Sequence, residues 1–327
     1  YELITDEDKR RIVTAFTYFA GYAGMTDTLW TLGKRWQNEG TDNPFAQMTQ
    51  AVHYAGLEAV RESLREIGEV IRKTGTPANK PPLITIFLGD GKTSTGAQHM
   101  YDQLPVETIT PDQLADTYAN GSKHKVYKVV MNVSQMYRVK ADSPLAGKGL
   151  AGEALFRQYL KTPEHFETNL EGVFPYATIW MNCIIWGPKF PRLITRDQAS
   201  EWHAQHKTLE VIGDITCDPE GAIHFSQETW IDEPVFIYNP ATQQNTLGME
   251  GEGIAVMAVT NLPCEFPADA SRQFSEDISA LLPGLIQADF EADTPVAAGL
   301  PAALLRATIL WKGELTPDFA YMSAYCE

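Results

Sequence analysis

Hydrophobic positions in this chain fall into two kinds of run. Residues 83–88, 126–133, 177–186 and 209–215 are nearly unbroken apolar stretches of strand length, as expected of parallel strands buried on both faces. Val52, Leu57, Val60, Leu64, Ile67 and Ile71 recur instead at helical spacing, with Glu58, Arg61, Glu62, Arg65 and Glu66 between them. That predicts an amphipathic helix, opened by Asn43 as N-cap and Pro44 at its first position and closed by Gly75-Thr76-Pro77.

The remaining segments follow the same alternation. Residues 11–36 predict a short strand, a glycine-bearing turn and a helix from about Gly24; Ala20, Gly21, Ala23 and Gly24 permit close backbone approach, to a helix or to a ligand. Residues 106–109 read as a second strand and Thr110-Pro111-Asp112 as a helix cap. A polar insertion spans residues 140–171. Residues 235–238 and 253–259 are strands, residues 266–282 a helix, and residues 298–311 a terminal helix packed back on the N-terminal part. Strands alternating with helices indicate an α/β fold with a parallel sheet.

One junction carries chemistry. The first apolar run ends in Gly89-Asp90-Gly91, and Gly96-Ala97 follows as a helix predicted over residues 97–104 begins. A strand, a tight glycine turn and a helix N-terminus can hold a pyrophosphate on free backbone N–H groups. The spacing Gly-x-Gly-x-x-x-x-Gly is not the common one, so a plain βα turn stays open beside a dinucleotide site. The predicted second strand ends in Ile109-Thr110 without the acid that binds a ribose hydroxyl in many NAD sites; this favours a 2′-phosphorylated cofactor, with no Arg nearby to hold it. Asn182, Asp214 and Asp218 stand at C-terminal ends of apolar runs, where side chains of open α/β sheets reach the ligand crevice. A cap or turn role is the alternative for each.

Composition narrows the function class. The chain has 327 residues, 44% hydrophobic and 21% charged, enough for two globular domains. A net charge of −16 argues against nucleic acid and anionic membranes as partners. No apolar run reaches the length of a membrane span. Cys183, Cys217, Cys264 and Cys326 lie far apart and read as reduced thiols of an intracellular protein. No metal site is expected: His203 and His206 lack an acidic or Cys partner at ligand spacing. Hydrolase and phosphate-loop motifs are missing as well. The start at Tyr1, without Met, reads as a processed or partial chain.

Taken in order, several motifs resemble the lysine-ketoglutarate reductase domain of the saccharopine-forming enzyme, and less closely the stand-alone saccharopine dehydrogenases. They are Phe19-Ala20-Gly21-Tyr22-Ala23-Gly24, Gly89-x-Gly91 with Gly96-Ala97-Gln98, Lys125-Val126-Tyr127, Pro175-Tyr176-Ala177-Thr178, Pro191-Arg192-Leu193-Ile194-Thr195, Asp214-Ile215-Thr216-Cys217-Asp218, Glu250-Gly251-Glu252-Gly253-Ile254 and Asn261-Leu262-Pro263. The resemblance implies an alanine dehydrogenase-like architecture: a Rossmann-like dinucleotide-binding domain over residues 31–289, with the insertion 140–171, and a second α/β substrate domain from residues 1–30 and 290–327.

It also implies NADPH, with NADH as the alternative, and the reductive condensation of lysine with 2-oxoglutarate to saccharopine. Amino acid and 2-keto acid are the implied partners, in a homo-oligomer or a larger assembly, and the mitochondrial matrix the implied location, with the cytoplasm as alternative. Gly89, Gly91, Gly96 and Ala97 would meet the pyrophosphate, and Asn182, Asp214 and Asp218 the nicotinamide and ribose end. The family's catalytic Lys and His fall before Tyr1. Its acid matches Glu2, and its carboxylate-binding arginine is in register with Ile12, one position from Arg11. Departures gather at polar positions: Thr17 for Gly, Asp90 in the phosphate turn, Asn132 to Met136 for a His/Arg-rich stretch, and Thr260 for Asp. A catalytically inactive relative, kept as a structural or regulatory subunit, is the alternative reading.

Overall fold

A computed structural model describes residues 1–325; Cys326 lies outside the described residues. The chain divides into two compact units, residues 17–266 and residues 1–16 with the chain from Pro267 onward. The sequence reading placed both boundaries further along, at residues 30 and 290.

The larger unit begins on α1 (Ala15–Asn38), one continuous helix where a strand, turn and helix were expected. Every residue from Ala23 to Leu29 is buried, so the polar stripe that reveals an amphipathic helix is missing. Its hydroxyls are satisfied internally: Thr26, Thr28 and Thr31 donate to the carbonyls of Tyr22, Gly24 and Asp27 at 2.8, 2.6 and 2.7 Å. The amphipathic helix α2 (Leu57–Thr74) starts later than predicted. Asn43 holds a turn instead, its Oδ1 accepting the Phe45 N–H at 3.0 Å, and a single 3-10 turn at Ala51–His53 precedes α2.

Strand β1 (Ile84–Leu88) runs into α3 (Lys92–Tyr101), which starts earlier than the helix expected from residue 97. β2 (Val106–Thr108) is followed by a 3-10 turn at Pro111–Gln113, capped as expected by Thr110 in a reciprocal capping box with Gln113, and then by α4 (Leu114–Asn120). β3 (Val126–Met131) leads through a short α5 (Val133–Met136) into β4 (Tyr137–Val139), α6 (Gly152–Lys161) and β5 (Phe166–Thr168). The insertion is therefore structured: β4 pairs antiparallel with β5, and Tyr159 packs on Tyr137, Phe166 and Phe190. β6 (Ile179–Asn182), α7 (Arg196–Gln205), β7 (Val211–Asp214), β8 (Val235–Asn239), β9 (Gln244–Leu247) and β10 (Ile254–Met257) complete this unit.

The eight-stranded sheet has the order β2-β3-β1-β6-β7-β10-β8-β9, parallel from β2 to β10, with β8 and β9 antiparallel. β1 is buried along its whole length. Ile84, Ile86 and Leu88 point into a cluster with Val129, Trp180, Ile212 and Phe174, while Phe87 meets Tyr101 of α3 edge-on. This alternation is the period-two pleat of a strand covered on both faces.

α1 covers the sheet at very short range. A Cβ on Gly21 would stand 2.2 Å from the Thr93 carbonyl, and one on Gly96 of α3 2.3 Å from the Tyr18 carbonyl. Along the same helix, Gly24 is filled by Ile215, and Gly213 of β7 by Thr28 and Met181. This seating buries Asp27 of α1 beside Glu265. Asp27 accepts the Ala51 N–H at 2.7 Å and Glu265 the Val52 N–H at 3.1 Å, so the pair pins the 3-10 turn before α2. The facing oxygens, Asp27 Oδ2 and Glu265 Oε1, find no donor elsewhere in the described chain. Burial raises both carboxyls and the neighbouring acid raises Asp27 further, which favours a proton held between the two unpartnered oxygens.

In the smaller unit, α8 (Pro267–Ser279) supplies Asp277, whose carboxylate accepts the Thr14 and Ala15 N–H groups at 3.0 Å each. Tyr1, Phe16 and Phe274 form an aromatic trio, and α9 (Leu282–Gln287) follows. The long terminal helix does not form. α10 (Ala302–Ala307) gives way to a hairpin of β11 (Leu310–Trp311) and β12 (Glu314–Leu315), because Lys312 and Gly313 take positive φ of 49° and 86° and turn the chain back. Arg306 of α10 donates to the Thr5 carbonyl, which ties the two chain ends of this unit together as expected.

Two measurements test these packing arguments. Gly21→Ala should lower stability in urea by about 1–3 kcal/mol despite the better helix propensity of Ala, because its methyl has no space. Unchanged stability would show that the helices part freely. The acid pair predicts a pH slope. Both folded-state values are raised, so its contribution is fully present below the unfolded values near 4 and drains as pH rises through the folded ones. Glu265→Gln, whose amide can accept from Val52 and donate to Asp27, should be the more stable form at pH of about 8 and lose that advantage near pH 4. Parallel pH profiles for the two proteins contradict the shared proton.

Candidate functional site

At the C-terminal end of β1 the chain turns through Gly89, whose φ of +106° suits glycine alone. Its N–H donates to the Met131 carbonyl at 2.8 Å, and a Cβ there would stand 3.2 Å from the Cys183 carbonyl. Gly91 is different. It is exposed, and nothing lies within 4 Å of where its Cβ would be. No side chain caps α3, so the N–H groups of its first turn are unclaimed by any cap. This turn has the open space and the free donors that a pyrophosphate requires. Gly96 and Ala97 have another use. Both are buried where α3 crosses α1, with Gly96 against Tyr18 and Ala97 against Gly21. They bring the helix close and stand away from the open turn.

Asn182 and Asp214 do come together, inward rather than toward a ligand. Neighbours across β6 and β7, both are buried, and Asn182 Nδ2 donates to Asp214 Oδ1 at 2.8 Å. The Cys217 N–H donates to the same oxygen at 3.0 Å and Ser226 Oγ to Oδ2 at 2.5 Å. Burial raises Asp214 against the lowering effect of these hydrogen bonds. Asn182 Oδ1 has no partner among the described residues. Asp218, by contrast, is exposed on the following loop, its carboxyl raised by desolvation. Cys217 is pushed up to about 12 by burial and by Asp214, Asp218 and Glu228, so it is held as a thiol. Cys183, Cys217 and Cys264 form no disulfide. In the smaller unit, Glu2 and Arg11 pair at 3.8 Å on the surface.

The strand order brings Asn132 to the mouth of the sheet. β3, not β2, lies beside β1, because residues 106–124 place an extra edge strand and helix between them in sequence. The strand end beside the glycine turn is therefore Asn132 of β3, not Ile109-Thr110 after β2 as expected. Asn132, Ser134 and Asp90 line a cleft of 270 Å³ with Val133 and, from α6, Gly152, Glu153 and Phe156. Ser134 Oγ donates to Asn132 Oδ1 at 2.7 Å. The available signal was the apolar run 126–133, longer than 106–109 and so better suited to the sheet centre.

Other cavities lie elsewhere. One of 640 Å³ opens at the opposite, N-terminal ends of β7 and β10, where Lys80 joins Glu39 and Glu210, each at 2.6 Å. Another, of 630 Å³, is an apolar hollow of the smaller unit lined by Leu285, Phe290, Leu304 and Trp311. Open α/β sheets bind ligands at the carboxyl ends of their strands, which favours the cleft at Asp90 and Asn132. Among the described residues no cluster of His, Cys, Asp and Glu could hold a metal ion, and no helix is long and apolar enough to cross a membrane.

Comparison with known proteins agrees with this geometry. No protein-family profile matches the chain. Over 98% of its length it is 32% identical to the alpha-aminoadipic semialdehyde synthase of Arabidopsis thaliana, covering 30% of that protein. It is 29% identical, again over 98% of its length, to the mitochondrial alpha-aminoadipic semialdehyde synthase of Mus musculus, covering 35%. It is also 23% identical to 60% of a saccharopine dehydrogenase (NAD(+), L-lysine-forming) of Emericella nidulans. The chain thus spans about a third of the length of the synthases it matches. An L-alanine dehydrogenase structure superposes with a TM-score of 0.52 over 100% of this chain and 68% of that one, at 15% identity. This likeness is one of fold, and bears out the α/β, Rossmann-like architecture.

The open turn has a direct test. Gly91→Val should leave the thermal transition within about a degree of wild type, because a surface substitution without contacts changes stability little. It should abolish dinucleotide binding measured by tryptophan quenching. Retained affinity would make the turn architecture alone.

Proposed function

As a homologue of the alpha-aminoadipic semialdehyde synthases over nearly its whole length, the chain, we propose, carries a nicotinamide-dependent reductase that condenses lysine with 2-oxoglutarate and reduces the imine to saccharopine. The observation that carries the proposal is the open Gly89-Asp90-Gly91 turn at the mouth of a parallel sheet, within a chain of this homology.

The turn fits the phosphates of a dinucleotide. The first N–H groups of α3 would meet the pyrophosphate, Gly91 gives it room, and the dipole of a ten-residue helix favours its charge. The bound nicotinamide supplies the hydride. What the chain's own residues do is hold and orient. The buried Asn182–Asp214–Ser226 network fixes the ends of β6 and β7, and Thr216 Oγ1 donates to the Ile184 carbonyl at 2.6 Å, which joins the loops after them. Asp218 is the exposed carboxylate that would meet the ribose and nicotinamide end, with Asn182 and Asp214 acting behind it. For Glu2 and Arg11 we propose a role at the substrate. Arg11 has the two-pronged donor that a substrate carboxylate needs, and its weak exposed pairing with Glu2 leaves both available. Gly96 and Ala97 support the site through packing. The proposal extends to amino-acid and keto-acid partners, to a homo-oligomer or larger assembly, and to a mitochondrial setting like that in the name of the Mus musculus relative.

One observation favours a second reading, a non-catalytic relative with a structural or regulatory role. Asp90 places an exposed carboxylate inside the phosphate turn, where it repels the ligand that the turn would bind. Activity separates the two. The natural full-length protein should oxidise the reduced nicotinamide cofactor only when lysine and 2-oxoglutarate are both present. Binding of neither coenzyme at millimolar concentration, with no such turnover, would establish the second reading.

A further inference from the structure

The charge of the cleft beside the glycine turn bears on which coenzyme can enter it, an inference that rests on the dinucleotide reading above. In a sheet of this kind the adenosine ribose lies at the carboxyl end of the strand next to β1, and its 2′ position meets the side chain at that strand end. Here that strand is β3 and the side chain is Asn132. Around it the cleft is lined by two carboxylates, Asp90 from the turn and Glu153 from α6, together with Ser134, Val133, Gly152 and Phe156. Among the described residues no lysine, arginine or histidine lines it.

The nearest cation along α6, Arg157, donates from its Nε to Glu153 Oε1 at 2.9 Å and is one turn further on. Lys92 opens α3 and is exposed outside the lining. A ribose hydroxyl suits these walls. Asn132 can donate through its amide, and Ser134 already donates to Asn132 Oδ1, which leaves the hydroxyl oxygen free to accept. A 2′-phosphate does not suit them. At neutral pH it carries about −1.5 to −2 charges and needs an arginine or lysine opposite. In this cleft it would face two like charges instead.

We propose that Asp90 and Glu153 select the unphosphorylated coenzyme, so that the chain takes NADH in preference to the NADPH expected from its resemblance. The 140–171 insertion thereby has a role: it delivers α6, and with it Glu153, to the ribose wall. Phe156, exposed at the same wall, offers a ring face to the adenine.

Titration of the intact protein with NADH and NADPH, followed by tryptophan fluorescence or calorimetry, tests this. NADH should bind about tenfold or more tightly, as expected for like charges a few ångströms apart at a partly exposed site. Raising the salt concentration should narrow the gap by weakening the repulsion. Glu153→Lys, on an exposed helix face, should improve NADPH binding about tenfold or more and change NADH binding little. 5′-AMP should likewise compete better than adenosine 2′,5′-bisphosphate. Equal or tighter binding of NADPH by the wild type overturns the selection and leaves the dinucleotide reading standing. Binding of neither coenzyme and neither fragment overturns both. An unchanged NADPH affinity in Glu153→Lys removes Glu153 from the proposal.

Discussion

The separation between α1 and α3 sets the position of everything at the mouth of the sheet. Gly21 and Gly96 face the opposite helix with less than 3 Å between a notional Cβ and backbone atoms, so the two helices touch main chain to main chain. α3 begins one residue after Gly91, and its N-terminus therefore sits where α1 allows. The same helix seats Gly24 on Ile215 and Thr28 on Gly213, which extends the constraint to the end of β7. Glycine inside a helix costs about 1 kcal/mol relative to alanine. Here that cost is offset by a contact that no larger residue permits.

Close seating also decides what becomes of polar groups. α1 buries Asp27 with Glu265, and the sheet buries Asn182 with Asp214. Asp27 and Glu265 each accept a backbone N–H, and Asp214 is satisfied by Asn182, Ser226 and Cys217. Buried polar groups with their bonds made add rigidity and specificity rather than reactivity. The groups left open to solvent are different ones: Asp90, Asn132, Ser134, Asp218 and Glu153. Their chemistry is acidic or neutral. Positive potential at this mouth comes from the first turn of α3, while the side chains lining the cleft there add none.

How much of this was legible beforehand depended on the range over which each signal acts. The buried strands could be read because every residue of β1, β6, β7 and β10 is apolar or enclosed, and a short, nearly unbroken run of that kind fits a strand covered on both faces better than any surface element. α2, with one wet face, was visible in the spacing of Val60, Leu64, Ile67 and Ile71, while α1, wet on no face along its middle, was mistaken for a strand and a turn. The last helix was overextended through Thr308, Ile309 and the Lys312-Gly313 turn, where local turn chemistry prevailed over the apolar pattern.

Local sequence thus determined the parallel strands, the glycine turn, the α/β class and the likeness to the saccharopine-forming enzymes. These are properties of consecutive residues and of their order. Tertiary structure alone decided which strand neighbours β1, and so placed Asn132 rather than Ile109-Thr110 beside the glycine turn. It also turned Asn182 and Asp214 toward each other, assigned Gly96 to packing, and brought Glu153 beside Asp90 across more than sixty residues of chain. The physical reason is the same in each case. Whether a polar side chain meets solvent, a ligand or a buried partner depends on which distant backbone fills the space beside it, and strand order and helix seating fix that only when the whole sheet has assembled.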